Sequence, residues 1–276
     1  MIELLHYTFF QHALLGSFLA SILCGIIGTY IVTRRLVFIS GGIAHASLGG
    51  VGLGAFLGIS PMLGATLFAL FSGYSIRWLN HKQEVREDSA IAMLWTFGMS
   101  IGILCTYLSP SFMPELPSFL FGNILTVTKT DLICLSILVV IALVLFTFLL
   151  RPIVAVAFDY EFARSQRLPV RFIELLMMTL IALTIVSCLR IVGIVLVLSL
   201  LTVPQMTANL FSQNYKYIIW LSILIGYVDC LGGLALSYIY NVPSGASIIF
   251  VSILIYMLAK TIKPLVNRFI TKETAR

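Results

Sequence analysis

The sequence predicts an all-α fold, a polytopic transmembrane helical bundle of eight or nine crossings that forms one domain over residues 1–276. Three observations predict it. Of the 276 residues, 60% are apolar and 10% charged, a balance no soluble domain of this size tolerates on its surface. Long, predominantly apolar runs recur, among them 132–150, 172–189, 191–201, 217–228 and 246–258, where about 20 apolar residues suffice to span a bilayer as a helix, and the two-residue alternation of a membrane barrel is absent. Lysine and arginine gather at alternate ends of these runs, as cytoplasmic loops require.

The first run, 9–33, has no basic residue before it, and Arg34 and Arg35 follow it directly. This is the reverse of a signal peptide and reads as a retained first helix with its N-terminus outside. The same orientation places further crossings at 37–59, 62–79, 89–108, 131–150, 172–189, 191–211, 217–239 and 246–262. Fifteen of the 17 basic residues then fall inside, and only Lys129 and Arg190 lie outside. The net charge of +6 therefore reports topology and contact with anionic membrane lipid rather than nucleic-acid binding. The glycine-rich second crossing and the long stretch 172–211 also accommodate eight crossings plus a re-entrant piece. Pro110, Pro114 and Pro117 make 109–118 extended, and 119–128 is too short to span, so 109–130 reads as an outer loop with a re-entrant piece.

Several chemistries are excluded. The cysteines, Cys24, Cys105, Cys134, Cys188 and Cys230, are scattered without a CxxC pair and read as packing residues rather than a thiolate cage. No GxxxxGK[ST] segment is present to cradle ATP phosphates, and HExxH does not occur. The chain reads as a non-catalytic membrane subunit.

His45 stands among apolar and small residues, on the order of 15 Å of helix rise past Arg34, which puts it at mid-depth. An ionisable group there is costly, so it is either satisfied by a carbonyl of a neighbouring helix or a transient ligand for a divalent cation. Ala46, Gly50, Gly54 and Gly58 recur at every fourth position and predict a packing stripe that holds His45 against a pore or symmetry axis. Asp229, halfway along 217–239, is a second candidate, as a cation ligand or a carboxyl carrying a proton.

Residues 158–168 predict a short cytoplasmic helix. Asp159 caps it, Glu161 suits its first turn, Arg164 and Arg167 suit its end, and Pro169 stops it. Its apolar side, Phe158, Phe162 and Leu168, is too small for a core, so it rests on the bilayer or plugs into a soluble partner. Glu87, Asp88 and Ser89 open the 89–108 helix at its positive dipole end. Glu115 and Arg190 are outward charges available to an external partner or to solvent.

Six segments occur together in an order that resembles the membrane permease of metal-uptake ABC transporters, the zinc, manganese and iron importers. They are 32–39 with His45-Ala46-Ser47, then 87–91, 119–125, 158–163, 192–197 leading to Pro204-Gln205-Met206-Thr207-Ala208, and 236–238 with 243–246. The resemblance implies a type II importer-like bundle in a bacterial or archaeal cytoplasmic (inner) membrane. It implies a permease homodimer, a dimer of separate cytoplasmic ATPases that bind ATP, and an external metal-binding protein for which Glu115 and Arg190 are docking candidates. It places His45 on the metal path, which Gly50 and Gly54 pack, and it makes Asp159, Glu161, Phe162, Ala163 and Arg164 the coupling helix to the ATPase. The chain itself would hold no cofactor, and a divalent metal ion is the cargo.

Three positions depart from the pattern. Many members carry an aspartate four residues before the histidine, where this chain has Gly41, so the site is histidine-only or completed by another acid such as Asp229. Tyr160 replaces a frequent proline and Arg167 a frequent glycine. The expected function is the permease of an ATP-driven importer. Loss of a hard oxygen ligand points to zinc, with manganese or iron as the other cargoes. The competing expectations are a secondary metal transporter driven by an ion gradient through His45 and Asp229, and a non-transporting membrane scaffold.

Overall fold

The computed structural model of the chain describes residues 7–82, 86–109, 122, 124 and 127–273. Among the described residues the elements are α1 (Thr8–Thr33), α2 (Val37–Phe56), α3 (Pro61–Lys82), α4 (Glu87–Leu108), α5 (Lys129–Phe158), α6 (Tyr160–Ser165), α7 (Val170–Leu200), α8 (Val203–Phe211), α9 (Tyr215–Tyr240) and α10 (Ser244–Glu273). The fold is all-α, as expected. The outer segment 109–130 falls largely outside the described residues, Glu115 included.

The crossing count differs from expectation. Among the described residues seven helices are long and apolar enough to cross a membrane, fewer than eight or nine. Composition and backbone account for the difference. α3 is 22 residues long, yet Thr66, Ser72, Tyr74, Ser75 and Arg77 dilute its apolar character. The crossings expected at 172–189 and 191–211 run together as one 42-residue apolar stretch, Val170–Phe211. Within it Gly193 (φ 76°, ψ 165°) occupies a backbone region that side chains exclude, and the helix breaks there. Non-helical backbone at membrane depth must be shielded by protein. Val192, Gly193 and Ile194 are buried accordingly, and a Cβ on Gly122 of the outer segment would collide with Val192 and Gly193.

α1, α2 and α7 form the buried centre, while α4, α5, α9 and α10 keep wide apolar faces outward, with Tyr107, Phe148 and Trp220 among the most exposed side chains. In water such faces would aggregate; in a bilayer they meet lipid. The buried side chain of Gln205 on α8 donates from Nε2 to the carbonyls of Cys24 (2.8 Å) and Leu200 (3.0 Å), tying the segment after the break to α1.

α2 is held by backbone contact on two sides. A Cβ on Gly52 would meet the Gly102 carbonyl oxygen at 2.5 Å, and one on Gly98 would meet Ala46 Cα at 2.6 Å, so α2 and α4 touch main chain to main chain. Gly50 meets Gly64 of α3 in the same way, and Gly54 approaches Pro61. The predicted stripe therefore divides: Ala46 faces α4, Gly50 and Gly54 face α3, and Gly58 lies past the helix end with φ 70°. Close approach of this kind is how membrane helices associate where water supplies no driving force.

Candidate functional site

α2 begins at Val37, so His45 sits near the middle of its 20 residues. The imidazole is half-buried and stacks on the indole of Trp95 from α4, with ring centroids 4.3 Å apart and planes 9° from parallel. The glycine contact between α2 and α4 makes this stacking possible by bringing the two backbones together. Nδ1 of His45 is buried with no hydrogen-bond partner among the described residues, and the Trp95 N–H turns away to Met99 Sδ at 3.0 Å. A buried polar nitrogen without a partner costs free energy, so it calls for an explanation.

No three His, Cys, Asp or Glu side chains gather to hold a metal ion among the described residues. A lone imidazole binds a passing ion weakly and releases it. Gly41 lies one turn before His45, and a Cβ there would meet only Leu198 Cδ atoms at 3.9 Å. Space for a longer side chain exists at Gly41; the residue itself supplies no ligand.

Asp229 is fully buried at mid-helix in α9, and neither carboxylate oxygen has a hydrogen-bond partner among the described residues. Ser252 of α10 lies close by, and the adjacent Cys230 Sγ is 3.9 Å from Ser21 Oγ of α1. The structure does not bring this carboxylate to His45 within the chain. α9 packs on α1, α8 and α10, whereas α2 packs on α3, α4 and α7.

Just after α5, Asp159 is the N-cap of α6 and accepts from the Phe162 N–H at 2.9 Å. Ala163 is the buried anchor, and Leu168 packs against the core. Glu161, Phe162 and Arg164 point outward, with Phe162 54% exposed. Leu168 N–H donates to the Ala163 carbonyl and Arg167 N–H to the Arg164 carbonyl, the two bonds that close a helix on a left-handed residue. Arg167 takes that left-handed position with φ 56°, which is why glycine suits it. Phe158, just before the cap, meets the Tyr215 ring edge-on at 6.3 Å.

Arg190, three residues before the Gly193 break in α7, is half-exposed and pairs with Asp131 at 3.1 Å. Asp131 also closes a capping box with Thr128 at the start of α5. Glu87 and Asp88 lie in the first turn of α4.

Residues 6–263 match the family described as the ABC 3 transport family. The chain belongs to the ABC 3 transport family. It resembles the manganese transport system membrane protein MntC of Halalkalibacterium halodurans, 34% identical over 263 residues, which cover 95% of this chain and 90% of that one. The MntC protein of Listeria monocytogenes is 31% identical over 261 residues, 95% of this chain and 93% of that one. Among solved structures, PsaBC from Streptococcus pneumoniae in complex with Fab matches with a TM-score of 0.85 and 29% identity, covering 94% of this chain and 93% of that one.

As an ABC 3 family member the chain is an ABC transporter permease, as the ordered motifs indicated. The sequence reading missed Trp95 and Glu174. Trp95 lies on a helix whose only visible signal was its acidic start. Glu174 sits at the edge of an apolar run, where an acid reads as a solvated terminus.

Proposed function

We propose that this chain is the membrane permease of an ATP-driven importer of divalent metal ions, working as a homodimer with a cytoplasmic ATPase dimer and an external metal-binding protein in a bacterial inner membrane. The observation that carries this reading is the unpartnered Nδ1 of His45 in mid-membrane, on a helix locked to its neighbours by backbone contact. The permease hydrolyses nothing. It offers His45, from each copy, as a weak transient ligand to the ion, and it offers the outward face of α6, with Phe162, Glu161 and Arg164, to the ATPase.

Manganese is the first cargo to test, because relatives over nearly the whole length are named for manganese transport. Zinc is the second, since Gly41 supplies no hard oxygen beside the imidazole. The gradient-driven alternative is disfavoured by the separate packing neighbourhoods of His45 and Asp229. Asp229 remains a second candidate on the metal pathway, and Arg190 a docking candidate for the external protein.

The test is cellular manganese, zinc and iron content in cells that depend on this chain, with and without it. A selective fall in manganese is expected. A selective fall in zinc reassigns the cargo, and three unchanged metals contradict the proposal.

A further inference from the structure

Glu174 lies nine residues past the end of α6, within the first turns of α7. Its two carboxylate oxygens are claimed by two different helices: Oε1 accepts from Arg34 Nη2 at 3.2 Å, and Oε2 accepts from Arg77 Nη2 at 2.7 Å. Arg34 is the C-cap of α1, three residues before α2 begins, and Arg77 lies on α3. One carboxylate thus joins α7 to α3, which packs on the His45 helix, and to the end of α1, from which the His45 helix follows in the chain. The group is largely withdrawn from solvent, the Glu174 side chain being 12% exposed, so its pairing is screened far less than a surface ion pair.

These three charges and a fourth, Glu87 at the start of α4, line a cavity of about 120 Å³ whose other walls include Tyr30, Ile39 and Ile181. Ile39 precedes His45 on α2 by six residues, roughly 9 Å of rise, so the cavity lies on the cytoplasmic side of the histidine. Arg34 Nε and Arg77 Nη1 are buried without hydrogen-bond partners among the described residues, so the guanidiniums are incompletely satisfied in this arrangement. A second, tighter link between the same helices comes from Tyr74 Oη and Thr179 Oγ1, 2.6 Å apart. Ion pairs between helices that are half satisfied in one arrangement are suited to being exchanged in another.

We propose that Glu174 is the positioning residue that passes displacement of α6 to the His45 helix, its pairs with Arg34 and Arg77 closing the cytoplasmic exit and parting to open it. The proposal rests on the transporter reading above. When the ATPase moves α6, α7 moves with it, because only the turn 166–169 separates them. Glu174 then pulls on Arg34 and Arg77 together, and the cavity beneath His45 changes shape. Glu174 touches no metal ion; it acts through helices.

The test is the number of metal ions imported per ATP hydrolysed, measured with radioactive manganese and zinc in proteoliposomes that hold the permease with its ATPase and metal-binding protein. Glu174→Gln is expected to keep hydrolysing ATP while ions per ATP fall about tenfold, within the usual size of a coupling between sites. Glu174→Asp, which keeps the carboxylate between the two arginines, is expected to retain at least half of the native ratio. A Glu174→Gln ratio equal to the native one overturns the proposal while leaving the transporter reading intact. Loss of ATPase assembly in Glu174→Gln also overturns it, because the pairs then serve the fold alone. A native complex that shows no ATP-dependent uptake of either ion removes the transporter reading itself, and this inference with it.

Discussion

His45→Ala is expected to cut metal uptake by at least about 10-fold to 100-fold, the range that losing mere supporting partners of a metal ligand already costs. The expected loss is in transport and not in folding. The substitution removes one ring from a stacked pair with centroids 4.3 Å apart, and such a pair contributes only about 0.5–1.5 kcal/mol. The glycine contacts that hold α2 to α3 and α4 stay in place, so the abundance of the chain in the membrane is expected to be native-like. A companion variant separates ring from nitrogen. His45→Phe keeps an aromatic surface against Trp95 but carries no lone pair, so its uptake is expected to fall as far as that of His45→Ala. Uptake restored by phenylalanine would make His45 a packing residue.

Phe162→Ala is the second large effect. Phe162 protrudes from α6, which its neighbours hold rigid: the Asp159 cap begins the helix, Ala163 is buried, and the left-handed Arg167 ends it. A large, pre-positioned aromatic knob of this kind is the usual anchor of an interface, and truncating one costs about 2 kcal/mol or more. That corresponds to roughly 30-fold weaker binding to the ATPase. Binding of the detergent-solubilised permease to the purified ATPase measures the loss directly. ATPase binding and stimulation unchanged in Phe162→Ala would mean that α6 is not the docking element.

The local features of this fold were legible because local residues cause them. The end of α1 could be read from Arg34 and Arg35, and the start of α6 from Asp159, since caps and flanking charges act within a few residues. His45 stood out because an ionisable group in an apolar run is rare. What stayed hidden depends on partners distant in sequence. Gly52 and Gly102 read as two unrelated glycines until α2 and α4 are seen in contact. Trp95 had no visible reason to matter without the imidazole that stacks on it. Glu174 is separated by 140 residues from Arg34 and by 97 from Arg77, and no spacing rule reaches that far. The expected crossing count was too high for two reasons: polar residues dilute the apolar character of α3, and the stretch Val170–Phe211, divided at Arg190 in the sequence, is one continuous apolar stretch in the structure.

The most direct test of the account is uptake of radioactive manganese and zinc by proteoliposomes containing the permease and its ATPase, supplied with the external binding protein and with all ion gradients collapsed by ionophores. Uptake that requires ATP and persists without gradients is the predicted result. Uptake that proceeds without the ATPase and disappears with the gradients would contradict it and make the chain a secondary transporter.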